Sequence, residues 1–192
     1  MLKSVESRNE MVLACLHLST DPVFLRLDQG ERMRLISEAG EQGRQIADWI
    51  VAEYNSTDPR KIAEQMGVKV HGEEGGGKKK SEYRKKSGEI IVFRDALGRL
   101  SNEITVPHLA ERLLRFLVAN ELFHHIEEIK VGRIFKKFPI PVKMGPLTVK
   151  KYIPALSDVA AQSFTRSLLK LEFSPRVFAY ITYMLFTSDF KR

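Results

Sequence analysis

Five consecutive residues, Asn120-Glu121-Leu122-Phe123-His124, hold the densest chemistry in the sequence. On a helix, positions i and i+4 share a face, so Asn120 and His124 project together with Glu121 beside them. This is the spacing of H-E-x-x-H, in which two imidazoles hold a zinc ion and the glutamate takes a proton from metal-bound water. The second imidazole (His124) and the carboxylate (Glu121) are in place. The first ligand position holds an amide, Asn120. An amide is a poor zinc ligand beside imidazole, although its carbonyl oxygen suits a harder cation such as magnesium or manganese.

Other readings of the same helix remain open. Glu121, His124, His125 and Glu128 contain i,i+3 and i,i+4 pairs that could present a mixed cluster. With no metal, Asn120 would hydrogen-bond His124 in a closed polar group. His125, Glu127 and Glu128 otherwise read as a solvated helix end. A di-iron site would need a second E-x-x-H, and the sequence contains none. Cys15, with His17 two residues on, lies in an apolar run and reads as core.

The helix that must carry these groups spans Leu109 to Lys130. Leu109, Leu113, Phe116 and Leu117 form one stripe, and Ala110, Leu114, Val118, Leu122 and Ile126 form another. A helix apolar over most of its girth is buried on several sides. The first stripe extends into Asn120 and His124, so both need partners: an unpaired buried polar group costs roughly 1–3 kcal/mol. Thr105 and Pro107 suit a helix start, as cap and first-turn residue.

Composition sets bounds. A chain of 192 residues with 43% hydrophobic and 29% charged residues is that of an ordinary globular protein able to bury a sizeable core. A single cysteine excludes an internal disulfide and a cysteine zinc cage, and it suits a cytoplasmic setting. No apolar run approaches a membrane span and no signal peptide is recognisable, so no membrane role is expected. The net charge of +7 sits in short clusters such as Lys78 to Lys80, Arg84 to Lys86 and Lys150-Lys151. Solvated loop charge explains them; unspecific nucleic-acid contact is the other reading.

Along the chain, Met11 to Leu18 and Val23 to Leu27 predict two short helices around Ser19-Thr20-Asp21-Pro22. Ile36, Ala39, Ile46, Ile50 and Tyr54 predict a helix over 31–55, with Gly40 and Gly43 marking close packing. Asp58-Pro59 starts a short helix ending at Met66-Gly67. The stretch Lys61 to Val68 resembles the first half of a helix-turn-helix, but the glycines at 72 and 75–77 leave no recognition helix.

Gly72 to Lys78 has phosphate-loop spacing, yet Lys79 stands where serine or threonine is needed, so it reads as a hairpin tip. Val68 to His71 and Gly88 to Asp95 then predict a small antiparallel sheet. Val131 to Ile153 reads as a long loop, either a groove wall beside the site or a set of aromatics plugged into the core. A helix over 154–172 carries Asp158 near its apolar face, and Ser174-Pro175 begins a last helix.

The order of elements now resembles the ImmA/IrrE family of metallopeptidase-like proteins over roughly residues 32–172. The residues that carry the resemblance are the short I-A-x-x-x-G helix, the G-E-I-I-V strand, Ala119-Asn120-Glu121-Leu122-Phe123-His124-His125, and Asp158-Val159-Ala160-Ala161-Gln162-Ser163-Phe164. The resemblance implies an α+β, zincin-like fold in which a small antiparallel sheet packs on a central helix. It implies a family-type domain over 31–192 preceded by a helical extension over 1–30. It also implies Glu121 as general base, His124 and Asp158 as zinc ligands, and Asn120 in place of the first histidine; with no metal, Asn120 would bond His124 or Asp158 instead. Phe123 replaces a small residue of the pattern. Two functions follow as expectations: a regulatory protein with a degenerate zinc site that acts on a protein or peptide partner, or an active metal-dependent endopeptidase. A basic nucleic-acid-binding accessory protein is the third.

Overall fold

The computed structural model describes residues 2–76, 79–94 and 107–172, with side chains over 10–76, 79–94 and 111–172. The Thr105 cap, the Gly77-Lys78 loop tip and the helix expected after Ser174 lie outside the described residues.

Aspartates start three of the helices. Helix α1 (Leu2–Leu18) is followed by α2 (Pro22–Leu25), whose cap Asp21 accepts from the Val23 and Phe24 amides. Helix α3 (Gln29–Tyr54) is capped by Asp28, which accepts from Glu31 N–H at 2.8 Å. Helix α4 (Pro59–Gln65) is capped by Asp58, with proline in its first turn. In each, a side-chain oxygen satisfies an amide that has no intrahelical partner.

The sheet has three strands in the order β1-β3-β2: β1 (Lys69–Glu73), β2 (Ser81–Arg84) and β3 (Glu89–Phe93). Ile90, Ile91, Val92 and Phe93 are all buried, as a continuous apolar run in a central strand requires. The expected antiparallel pairing of the first and last strands is corrected: β1 runs parallel to β3, and β2 takes the antiparallel place. The cause is local. Gly88, with φ of +66°, lets the chain turn tightly after Arg84, and its N–H bonds the Arg84 carbonyl at 2.9 Å. That turn makes β2 and β3 the hairpin, leaving β1 the far edge of β3.

Helix α5 (Pro107–Ile126) continues into a π-turn over Glu127–Val131, then a 3₁₀ turn over Ile134–Lys137. The loop expected over 131–153 is also corrected. Most of it is a ribbon of β4 (Ile140–Met144) and β5 (Leu147–Lys151), turned by Gly145-Pro146. Helix α6 (Leu156–Leu169) follows.

Two apolar clusters share α3 and α6. One gathers Ile50, Ile62, Ile90, Leu122, Phe123 and Phe164 between the sheet and helices α3 to α6. The other gathers Leu18, Phe24, Ile36, Ile140, Ile153 and Val159, so α1 and α2 pack into the same body as the base of the ribbon. The architecture is α+β, and no helix among the described residues is long and apolar enough to cross a membrane.

Helices α3 and α6 come into backbone contact at Gly43. A Cβ there would stand 2.1 Å from the Ala160 carbonyl oxygen, which belongs to rigid backbone. At Gly40 the nearest atom is the movable Ser163 Oγ, at 3.1 Å. Gly43→Ala should therefore lower stability in urea unfolding by about 2–3 kcal/mol, overpacking outweighing the gain in helix propensity. Gly40→Ala should stay within ~1 kcal/mol of the unmodified protein.

Candidate functional site

The residues singled out on α5 meet β2 and α6, and α1 reaches the site through Asp158 of α6. Strand β2, which the sequence reading missed, lies along α5 and is tied to it twice. Ser81 Oγ donates to Glu121 Oε1 at 2.8 Å, and the Tyr83 hydroxyl lies 2.9 Å from His125 Nδ1 with the rings edge to face. Alternate residues of a strand share a face, and so do residues one turn apart on a helix; the two contacts match these periods. Both Glu121 and His125 are buried. The solvated end expected for His125 and Glu127 is thereby corrected. The apolar girth of α5 continues through this turn, and β2 covers it.

Glu127 is the extreme case, with no exposed surface. It lies one turn beyond His124 on the same helix face, where the π-turn begins. Oε1 accepts from the Ile134 N–H at 2.7 Å and from the Ser157 hydroxyl; Oε2 faces His124 Nδ1 at 3.5 Å and an Arg133 nitrogen at 3.6 Å. Burial pushes this carboxyl up, but hydrogen bonds from His124, Ser157 and the Ile134 amide, with the His124 charge, outweigh it and hold the group below its ordinary 4.5.

His124 is thus gripped from behind. Its Nδ1 faces Glu127, and its Nε2 looks toward Asp158 Oδ1 at 3.9 Å. Burial alone would lower its pKa. The Glu127 hydrogen bond, followed by the charges of Glu121, Asp158 and Glu127, reverses that and places it above the ordinary 6.5. His125 behaves oppositely: burial, then the Lys130 charge, lowers its pKa. Its Nε2 is buried with no hydrogen-bond partner.

Asp158 stands in the first turn of α6 between two imidazoles. Its other oxygen, Oδ2, lies 3.0 Å from Nε2 of His17 on α1. His17 is a site residue that sequence reasoning missed; 141 residues separate the pair, and no local signal joins them. Glu127 was missed as well, although its i,i+3 spacing from His124 was visible. The four residues expected at the site fall into two groups. His124 and Asp158 face each other, whereas the Asn120 amide is turned to Glu121 Oε1, at 3.5 Å. The mixed cluster is not formed, since Glu128 pairs with Lys85 and Arg133 and His125 with Tyr83.

The donor set does not fit zinc. A catalytic zinc site takes three protein ligands and a water, and here one imidazole and one carboxylate face each other while the amide points elsewhere. Among the described residues, no group of three or more His, Cys, Asp or Glu side chains is arranged to hold a metal ion. A cleft of about 860 Å³ between α4 and β1, bordered by Arg60, Lys69, His71 and Leu114, includes none of these residues. The polar cluster lies apart from that cleft.

The charge pairing has a testable sign. Glu127, lowered in the fold, adds stability that is present above 4.5 and lost as pH falls through its folded value. His124, raised in the fold, adds stability that is complete below 6.5 and lost as pH rises through its folded value. Their joint contribution is greatest between these two ordinary values. In an NMR titration, His124 should titrate above 6.5 and His125 below it. In Glu127→Gln, the His124 midpoint should move down. An unmoved midpoint would show that Glu127 does not set it.

Compared with protein-family models, curated proteins and solved structures, the chain matches none.

Proposed function

We propose that this chain is a zincin-like protein of the ImmA/IrrE type whose zinc site is degenerate, and that it works as a regulator by binding a protein or peptide partner. The observation that carries the reading is the state of the N-E-x-x-H turn. The second histidine is held by a buried carboxylate, as ligating histidines usually are. The residue in the first histidine's place instead spends its amide on Glu121. Glu121 also accepts from Ser81, and the acid that would complete a metal site is shared with His17. Carboxylates held in this way keep a fixed set of polar groups where α5 meets β2 and α6, with His124 and Asp158 partly open to solvent, which suits recognition of a partner's polar groups.

The experiment is metal analysis of protein purified without chelators, beside Asn120→His. The unmodified chain is expected to carry far less than one zinc per molecule. Asn120→His is expected to raise zinc affinity on the order of 100-fold by restoring a third strong ligand. Near-stoichiometric zinc in the unmodified protein, lost in His124→Ala, would overturn the degenerate reading in favour of an active metal-dependent peptidase. No gain in Asn120→His would overturn the zincin-like geometry itself.

A further inference from the structure

Between Glu128 and Asp158 the chain has seven basic residues and no acidic one. Lys130 pairs with Glu53, and Arg133 with Glu127 and Glu128, so those two charges are balanced. Five lysines remain: Lys136, Lys137, Lys143, Lys150 and Lys151. None meets a carboxylate among the described residues; Lys137 bonds only the neutral Gln42. Four of them lead into or sit on the β4–β5 ribbon within one short stretch, and the fifth, Lys151, ends it.

The ribbon is amphipathic. The register pairs Ile140 with Lys151, Val142 with Val149 and Met144 with Leu147 on one face; Pro141 with Lys150 and Lys143 with Thr148 lie on the other. Along the first face burial fades outward. Ile140 is buried, the two valines are half-buried, and the tip pair is bare, Met144 at 57% and Leu147 at 67% exposure. The exposed apolar surface is therefore at the tip of the ribbon, with unbalanced ammonium groups set just behind it. A rigid protein partner would have to supply a matching groove. A deformable apolar medium under an anionic layer needs none.

We infer that the β4–β5 ribbon docks on an anionic lipid surface. Met144 and Leu147 enter the boundary between headgroups and acyl chains, and Lys143, Lys150 and Lys151 meet the lipid phosphates and carboxylates. This is a peripheral contact that requires no spanning helix, and it uses none of the residues of the Asn120–Asp158 site.

The test is co-sedimentation of the full chain with vesicles of phosphatidylcholine containing about 30% phosphatidylserine, beside pure phosphatidylcholine vesicles. Binding is expected to the anionic vesicles only. The double change Lys143→Ala/Lys150→Ala should weaken it about 30-fold, near fivefold per lysine. Met144→Ser/Leu147→Ser should weaken it by about tenfold or more, at sites too exposed for the fold to depend on them. Leu147→Trp adds a direct readout: its emission should shift to the blue with anionic vesicles, a shift the native Trp49 on α3 does not give. No sedimentation with anionic vesicles would overturn the inference. So would binding that ignores the tip residues, or capture of duplex DNA through the lysines without vesicle binding.

Discussion

The carboxylate of Glu127 has no contact with solvent, and much of the structure around the site follows from keeping it satisfied. A buried carboxylate without partners costs several kcal/mol, so its oxygens must find donors. They come from three segments: the imidazole of His124 on α5, the amide of Ile134 in the 3₁₀ turn, and the hydroxyl of Ser157 at the head of α6. One residue thus fixes the ring of His124, the exit of the chain from α5 and the start of α6. Asp158 is the next residue after Ser157, so its position against His124 is set by the same knot.

The knot would be useless if α6 were free to slide, and α3 prevents that. Gly43 lets the two helices touch backbone to backbone at Ala160, one short step along α6 from Asp158. One turn further along α6, Phe164 meets Phe123 with ring centroids 5.4 Å apart. Phe123 is the residue between Leu122 and His124, fully buried. The apolar packing sets the spacing of the helices, and the polar groups then have only local freedom left. That is why His17, arriving on α1 from the other end of the chain, can find Asp158 at hydrogen-bond distance.

What the sequence disclosed was what depends on period and on capping. Asp58 and the apolar stripes of α3 and α5 place helices where the structure has them, and Gly43 was readable as a site of close approach. The convergence of His124 and Asp158 was expected only through the family resemblance. Strand β2 escaped because Ser81-Glu82-Tyr83-Arg84 is polar and only half-buried throughout, which removes the alternation that marks a strand. The ribbon escaped because its prolines and glycine look like loop punctuation until the register is known, when Gly145-Pro146 becomes a turn. Glu127 stands one turn beyond His124 on the stripe of Leu117 and Asn120, so its burial had a periodic signal that its charge masked, whereas the π-turn that begins there leaves no mark in hydrophobic periodicity.

The Ser157 to Glu127 hydrogen bond also spans 30 residues of sequence, and that closure explains the odd composition of what lies between. A loop of such length costs only slowly rising entropy to close, so a few buried anchors suffice at its ends. Ile134, Ile140 and Ile153 serve as those anchors, all buried, while nearly everything beyond Val142 and before Ile153 faces water. The segment is therefore free to carry charge and exposed apolar groups that a core position would forbid. Its ends, by contrast, are held by the same carboxylate that orients His124. Residues at the tip can change without disturbing the site, whereas a change at Glu127 or Ser157 would loosen both the imidazole and the base of the ribbon together.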